Sequence, residues 1–167
     1  MGEILFVCTG NTCRSVMAEA LLKYHAKNKY GKLPLEIKSA GISAMEGMDA
    51  TPETRQALKQ EEGIELEEHR SRQVTPELLE EARAVIVMTL RHKRALESEH
   101  PGVSHKVKLL KEISGESGGN LDVADPFGED LKKYRETLKE IDKHVQNLVE
   151  RLQDYFPEKF NDRGEGQ

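Results

Sequence analysis

The sequence is poor in the features that characterise secreted, membrane-spanning and nucleic-acid-binding proteins. It has only two cysteines, Cys8 and Cys13, among 167 residues, and this is too few for the disulfide framework of a secreted domain. No apolar run approaches the ~20 residues needed to cross a bilayer, and the first residues lack a signal-peptide pattern. A net charge of −5 argues against a basic surface for nucleic acid. We therefore expect a cytoplasmic protein that binds neither nucleic acid nor membranes.

The histidines and cysteines are also too scattered to indicate a metal site. No pair of them has the spacing that is typical of zinc ligands. We therefore expect no metal and no cofactor. Five histidines are assigned to the solvated surface, namely His25, His92, His100, His105 and His144.

What the sequence does contain is an alternation of apolar runs and amphipathic segments. Short, β-prone apolar runs occupy residues 4–7, 35–40, 84–88 and 107–110, and segments with helical periodicity separate them. Three helix starts carry a capping threonine, and the first two of these threonines precede a proline: Thr51, Thr75 and Thr89. This order is typical of an α/β sandwich with a parallel sheet.

The chain is long enough for a single domain with a hydrophobic core. Its longest amphipathic helical pattern covers residues 129–155, and the residues after that pattern are mostly polar. We therefore assign residues 1–156 to one domain and residues 157–167 to a flexible tail.

The most informative stretch is the loop at residues 8–15, Cys-Thr-Gly-Asn-Thr-Cys-Arg-Ser, between the first apolar run and the first helical pattern. The first N–H groups of a helix lack intrahelical partners and carry partial positive charge, so such a loop can bind an oxyanion. Gly10 and Asn11 tolerate the positive φ that turns N–H groups inward. Arg14 can hold two phosphate oxygens with its guanidinium group. The positive surroundings favour the thiolate form of Cys8, which is an activated nucleophile.

This loop resembles the Cys-x5-Arg-Ser loop of the low-molecular-weight protein tyrosine phosphatase family, and it is most similar to that of the bacterial protein arginine phosphatases. The Asp-Pro motif of the family is matched by Asp125 and Pro126, and the resemblance covers nearly the whole chain. It implies a three-layer α/β sandwich with a four-stranded parallel sheet and a phosphate-binding loop between the first strand and the first helix. It also implies a metal-free protein phosphatase that acts through a cysteinyl-phosphate intermediate.

The resemblance implies a role for each matching residue in catalysis. Cys8 corresponds to the nucleophile, Arg14 to the phosphate-binding arginine and Asp125 to the general acid. The remaining positions that correspond to phosphate or substrate contacts are Thr9, Gly10, Asn11, Thr12, Cys13, Ser15 and Phe127.

A supporting set of hydrogen bonds is also implied by the resemblance. Ser15 would donate toward the sulfur of Cys8 and stabilise its thiolate. Ser39 and His69 would form hydrogen bonds to Asn11 and so hold the loop in shape.

Two loop residues carry expectations about regulation and substrate. Cys13 is expected to protect the nucleophile, because a neighbouring thiol can trap an oxidised Cys8 as a reversible disulfide. Thr12 stands where the tyrosine phosphatases of the family usually carry a bulky aliphatic residue and the arginine phosphatases carry threonine. The resemblance therefore implies phosphoarginine in proteins as the substrate. Phe127 and Gly128 stand where the eukaryotic tyrosine phosphatases carry a pair of tyrosines, and this difference also favours the arginine phosphatases.

Other interpretations of these residues are open. Phosphotyrosine is the alternative substrate, and a phosphate-binding or thiol redox-sensing module is the non-enzyme alternative. Taken singly, Cys8 would be a small buried residue, Asp125 with its proline a turn, and His69 a surface side chain. Asp122 is a second candidate for the acid, although no proline follows it. Arsenate reduction on this fold requires a further pair of cysteines, which the chain lacks. The expected partners are phosphorylated proteins, and we expect a monomer.

Overall fold

The computed structural model describes residues 3–33 and 35–160, which form four strands and a set of helices that alternate with them. In chain order the elements are β1 (Ile4–Cys8), α1 (Arg14–Tyr30), β2 (Ile37–Gly41), α2 (Pro52–Glu62), α3 (Pro76–Glu81), β3 (Ala84–Val87), α4 (Leu90–Glu99), a 3-10 helix (Pro101–Lys106), β4 (Val107–Leu109), α5 (Leu110–Ile113), α6 (Leu131–Tyr155) and α7 (Pro157–Phe160).

The strands form one parallel sheet in the order β2-β1-β3-β4, and β1 is buried along its whole length. Successive side chains of a strand point to opposite faces. Ile4 and Phe6 accordingly pack with α1, α2 and α6, whereas Leu5 and Val7 pack with α3 and α4. The result is a three-layer α/β sandwich with the loop 8–15 between β1 and α1, which confirms the expected fold class.

The helices α2, α3 and α4 begin where the capping pattern predicted. The side chains of Thr51, Thr75 and Thr89 each accept a hydrogen bond from the backbone N–H three residues further on. Each cap satisfies one of the donors that a helix start leaves unpaired. Within the described parts of the chain, no helix combines the length and the apolar composition needed to cross a membrane.

The main differences from the sequence-based expectation lie at element boundaries. β2 begins at Ile37 instead of residue 35, and β4 ends at Leu109 because Leu110 begins the short helix α5. An apolar run is compatible with both a strand and a buried helical turn, so the pattern alone did not separate Leu110 from β4. The 3-10 helix after α4 was not predicted from the sequence.

The expectation of a flexible tail is wrong for residues 157–160. These residues form α7, in which the ring of Phe160 packs on Tyr30 with 4.5 Å between the centroids. Lys159 forms an ion pair with Glu3 at 3.2 Å. The apolar contact and the ion pair hold this segment against the domain despite its mostly polar composition. The rest of the predicted tail, residues 161–167, lies outside the described residues.

The loop after β1 lies at the carboxyl edge of the sheet, where parallel α/β sheets bind ligands. The backbone N–H groups of Ile42 and Ser43 donate to the carbonyl oxygens of Cys8 and Thr9, at 3.0 and 2.9 Å. A Cβ atom on Gly41 would lie 2.5 Å from the Thr9 oxygen. Glycine is therefore required at position 41 because the two backbone segments approach so closely.

We predict that Gly41→Ala destabilises the protein, because the added methyl group must displace the backbone of the loop. Overpacking of this kind costs about 1–3 kcal/mol, which urea denaturation measures as a fall in the free energy of unfolding. Gly102→Ala is the matched control, since a Cβ atom there meets no other atom within 4 Å. Equal stability of the two variants would show that the loop has room for the methyl group.

Candidate active site

The candidate site is a pocket of about 190 Å³ at the carboxyl edge of the sheet. It brings together the loop 8–15 and the segment before α6, which are far apart in the sequence. The three residues expected to carry out the chemistry, Cys8, Arg14 and Asp125, all line it. Its full lining consists of Cys8, Thr9, Gly10, Thr12, Cys13, Arg14, Asp125 and Phe127.

Asn11 determines the shape of the loop. It has a positive φ of 56°, whereas Gly10 stays outside the left-handed region. Its buried side chain donates from Nδ2 to Ser15 Oγ and to Ser39 Oγ, both at 2.9 Å. Its Oδ1 accepts from the backbone N–H of Arg72 at 3.1 Å, and its carbonyl oxygen accepts from His69 Nε2 at 2.8 Å. The implied contacts of Ser39 and His69 with Asn11 are thus present, and they hold an otherwise unfavourable backbone conformation.

The hydroxyl of Ser15 lies 2.9 Å from the sulfur of Cys8. Because Ser15 Oγ already accepts a hydrogen bond from Asn11 Nδ2, its own proton is free to point at the sulfur. A hydrogen bond donated to the sulfur stabilises the charged form of a thiol. Cys8 is only 3% exposed, so this donor acts in an environment with little competing water.

Arg14 is held rigidly although it begins a helix. It is 3% exposed, and its Nη1 donates to the carbonyl oxygen of Val123 at 2.9 Å. Its Nη2 lies 3.4 Å from Asp125 Oδ2 and 3.5 Å from Thr9 Oγ1. The guanidinium group is therefore oriented before any anion enters the pocket, which reduces the entropy lost on binding.

Asp125 is the half-exposed member of the pocket, with 48% of its side chain accessible. Its Oδ1 accepts a hydrogen bond from the backbone N–H of Phe127 at 3.0 Å, and its Oδ2 faces Arg14. Asp122, the other candidate acid, accepts instead from the backbone N–H of Leu90 at the start of α4 and does not line the pocket. The geometry therefore places Asp125 beside Cys8 and Arg14.

Thr12 and Phe127 form part of the pocket wall in different ways. Thr12 is partly buried, and its carbonyl oxygen accepts from the backbone N–H of Thr51 and from Thr54 Oγ1 at 3.1 and 3.2 Å. These bonds fix the wall to the start of α2. Phe127 is 68% exposed, so its ring is available to a bound molecule.

Cys13 is a buried residue of the loop, and both cysteines are free thiols. The Sγ atom of Cys13 lies 3.5 Å from the hydroxyl of Tyr134 and 3.6 Å from Thr51 Oγ1. Burial raises the pKa of Tyr134, and its hydrogen bond to Cys13 raises it further, so the phenol stays protonated. No described contact joins Cys13 directly to Cys8, and the expected redox role of the pair stays a prediction.

The expectation of solvated histidines is wrong for His92 and His144, which are 3% and 4% exposed. His144 Nδ1 lies 2.8 Å from Ser114 Oγ, away from the pocket. His92 Nε2 lies 2.9 Å from Thr9 Oγ1 and therefore touches the phosphate-binding loop. The sequence carried one signal for this position. His92 stands four residues before Leu96, on the same buried face of α4.

The environment of His92 keeps its imidazole neutral. Burial lowers the pKa of His92 from 6.5 to about 4, and the positive charge of Arg14 contributes to the shift. The carboxylates of Asp125 and Asp122 oppose it, and Arg91 adds to it.

One group of possible metal ligands lies away from the pocket, among the described residues. His25, Glu62 and Asp142 come from three helices, and their ligand atoms lie within 4.8 Å of one another. The three residues lie far apart in the sequence, so no spacing between neighbouring ligands indicates this group. His25 Nε2 lies 2.6 Å from one carboxylate oxygen of Asp142, and Gln146 donates to the other at 2.7 Å. The first contact joins α1 to α6 and the second lies within α6. None of these residues lines the pocket.

Known proteins resemble this chain over nearly its whole length. The family model for low molecular weight phosphotyrosine protein phosphatases matches residues 3–157. A protein-arginine-phosphatase of Geobacillus stearothermophilus is 44% identical over 153 residues, which are 90% of this chain and 96% of that protein. The protein-arginine-phosphatase of Bacillus subtilis (strain 168) is 41% identical over 150 residues, with coverage of 90% and 96%.

A solved structure shows the same architecture. It is a mutant of the YwlE arginine phosphatase with a phosphorylated active-site serine, and it has a TM-score of 0.83 and 40% sequence identity to this chain. The match covers 90% of this chain and 95% of that chain.

We predict that His92 makes the protein less stable in acid. Its folded-state pKa lies below the unfolded value of 6.5, so the unfolded chain binds the extra proton between pH 6.5 and about 4. The contribution of neutral His92 to the free energy of unfolding is fully present above pH 6.5 and is lost as the pH falls toward 4. Between pH 7 and pH 4.5 this loss amounts to about 2 kcal/mol in the free energy of unfolding.

Urea denaturation of the parent and of His92→Gln at the two pH values measures this loss as the difference between their pH dependences. His105→Gln, which replaces an exposed histidine, is the control and should change stability with pH as the parent does. A His92→Gln protein with the pH dependence of the parent would contradict the prediction.

Proposed function

The chain belongs to the low molecular weight phosphotyrosine protein phosphatase family, and we propose that it is a cysteine-dependent protein phosphatase that acts on phosphoarginine. The observation that carries this proposal is the pocket in which Cys8 meets Arg14, Asp125 and Thr12. The arginine phosphatases that resemble the chain at 41–44% identity support the choice of substrate.

In the first step the thiolate of Cys8 attacks phosphorus in line with the bond to the leaving nitrogen. The sulfur–phosphorus bond forms while the phosphorus–nitrogen bond breaks, and the proton of Asp125 passes to the departing guanidine nitrogen. Asp125 suits this role because its half-exposed carboxyl group reaches both substrate and solvent. The phosphorylated active-site serine of the YwlE mutant supports a covalent phosphoryl-enzyme at this position.

In the second step water hydrolyses the cysteinyl-phosphate. Asp125, now a carboxylate, takes a proton from the attacking water, and the sulfur–phosphorus bond breaks to return Cys8 as a thiolate stabilised by Ser15. Arg14 and the backbone amides of the loop hold the phosphoryl oxygens through both steps. These groups supply the charge stabilisation, so the chemistry requires no metal ion.

Thr12 supports phosphoarginine over phosphotyrosine. An aliphatic side chain at this wall would pack against an apolar phenyl ring but would offer nothing to a polar guanidinium group. The Thr12 hydroxyl can form a hydrogen bond near the phosphoramidate nitrogen, which an aliphatic side chain cannot do. Phosphotyrosine is the alternative, because the exposed ring of Phe127 can also stack on an aromatic substrate.

The non-enzyme alternative is less well supported. A phosphate-binding or redox-sensing module needs Cys8 and Arg14 but has no use for an acid beside them, and Asp125 lies 3.4 Å from Arg14. The partners that we propose are phosphorylated proteins. A cytoplasmic location would keep Cys8 and Cys13 reduced. We also propose that the protein works as a monomer.

We predict that Asp125→Asn separates substrates by their leaving groups. Hydrolysis of phosphoarginine peptides should fall about a hundredfold or more, because the guanidine leaves as a neutral group only when protonated. Dinitrophenyl phosphate, whose leaving group needs no proton, should be hydrolysed at close to the parental rate. Asp122→Asn is the matched control and should leave both rates unchanged, since Asp122 lies outside the pocket. An equal fall in the hydrolysis rates of both substrates would show that Asp125 is not the general acid.

We predict that Thr12→Ile transfers activity from phosphoarginine to phosphotyrosine peptides. One hydrogen bond or a few buried methylene groups shifts the ratio of kcat/KM values by about ten- to a hundredfold. Thr12→Ser keeps the hydroxyl and should retain the preference of the parent. A parent protein that hydrolyses phosphotyrosine peptides faster than phosphoarginine peptides would assign the chain to the tyrosine phosphatases while leaving its chemistry intact.

A further inference from the structure

The hydroxyl of Thr9 lies between two nitrogen groups at the edge of the pocket. His92 Nε2 is 2.9 Å from Thr9 Oγ1, and Arg14 Nη2 donates to the same oxygen at 3.5 Å. Thr9 also lines the pocket, whereas His92 is buried behind it. Among the described contacts, His92 is joined to the pocket lining through its hydrogen bond with Thr9.

The hydrogen-bonding capacity of Thr9 decides where its proton points. A threonine hydroxyl has one proton to donate and can accept two hydrogen bonds, while arginine can only donate. If His92 carries its proton on Nε2, Thr9 Oγ1 accepts from both His92 and Arg14. Both acceptor positions are then filled, and the hydroxyl proton is free to point away from these two groups.

The other nitrogen of His92 indicates which tautomer is present. Its Nδ1 is buried and has no hydrogen-bond partner among the residues that the structure describes. A proton on Nδ1 would be a buried donor without an acceptor, and such orphaned donors are rarer than unpaired acceptors. We therefore assign the proton to Nε2, which donates it to Thr9.

We propose that His92 is a positioning residue that makes the Thr9 hydroxyl an additional donor to the phosphoryl oxygens in the pocket. The proposal rests on the proposed phosphatase function and adds a side-chain donor to the loop amides and Arg14. A donor oriented in advance stabilises the charge that develops on these oxygens without a cost of reorganisation. Neither the loop motif nor the Asp-Pro motif contains His92.

The backbone around His92 makes this orientation rigid. The N–H of His92 donates to the capping oxygen of Thr89 at 3.2 Å, which fixes the residue in the first turn of α4. Burial and the nearby Arg14 lower the pKa of His92 to about 4. The ring is therefore neutral at physiological pH, with one proton to donate and no charge to compete with Arg14 for the anion.

The test measures the affinity of the protein for inorganic phosphate by calorimetric titration. Thr9→Val, which removes the hydroxyl and keeps the shape, should weaken binding by about tenfold, and Thr9→Ser should stay near the parent. His92→Phe should weaken binding by a similar factor. The double variant Thr9→Val with His92→Phe should bind no more weakly than Thr9→Val alone, because His92 acts through the hydroxyl. Additive losses in the double variant, or an unchanged affinity of Thr9→Val, would overturn the proposal.

His144→Phe is the matched control, since it also removes a buried imidazole next to a hydroxyl, that of Ser114. It should lower stability and leave the phosphate affinity within about twofold of the parent, as expected for a site with no coupling to the pocket. An equal loss of affinity in His144→Phe would show that His92→Phe acts through general destabilisation.

Nitrogen NMR of the imidazole rings tests the tautomer in the unmodified protein. A proton on Nε2 of His92 is expected, and a proton on Nδ1 would overturn the assignment even if His92→Phe does not fold. Turnover of para-nitrophenyl phosphate by the same variants separates this proposal from the choice of substrate. If Thr9→Val and His92→Phe both lose that turnover while the parent does not hydrolyse phosphoarginine, the result would support the role of His92 and refute the phosphoarginine assignment.

Discussion

The site depends on one residue held in an unfavourable conformation, Asn11. A non-glycine residue with a φ of 56° needs compensation from its surroundings. The side chain of Asn11 obtains it from Ser15, Ser39 and the backbone of Arg72. The same hydrogen bonds orient the hydroxyl of Ser15 toward Cys8. The backbone turn of the loop and the position of the Ser15 hydroxyl beside the Cys8 sulfur therefore have a common origin.

The hydrogen bonds of Asn11 depend on the register between β1 and β2, because Ser39 lies in β2. Ser39 pairs with Phe6 across β1 and β2, and Gly41 pairs with Cys8. A shift of one residue in that pairing would turn Ser39 to the opposite face and remove it from Asn11. The buried side chains of β1 on both faces oppose such a shift. Core packing thus fixes the position of a single serine hydroxyl next to the residue that shapes the loop.

The parts of the structure that depend on local pattern could be predicted from the sequence. The strands, the threonine caps and the strand–loop–helix motif around Cys8 and Arg14 are of this kind. The burial of His92 could not be predicted in the same way, because a histidine in a polar helix becomes a core residue only through the neighbours that the fold provides. The helix at residues 157–160 likewise depends on Tyr30, which lies far away in the sequence. The Asp-Pro motif already favoured Asp125 over Asp122, and the structure adds that only Asp125 of the two lines the pocket.

The bond between Arg14 Nη1 and the carbonyl oxygen of Val123 has a consequence for evolution and engineering. It joins two segments 109 residues apart, and one guanidinium group serves both the phosphate loop and the segment that carries Asp125. A lysine, with a single ammonium head, would not reproduce this two-sided attachment. Sequence drift in either segment is therefore constrained by the other. A designer who transplants the loop 8–15 to a new scaffold must transplant residues 123–127 with it.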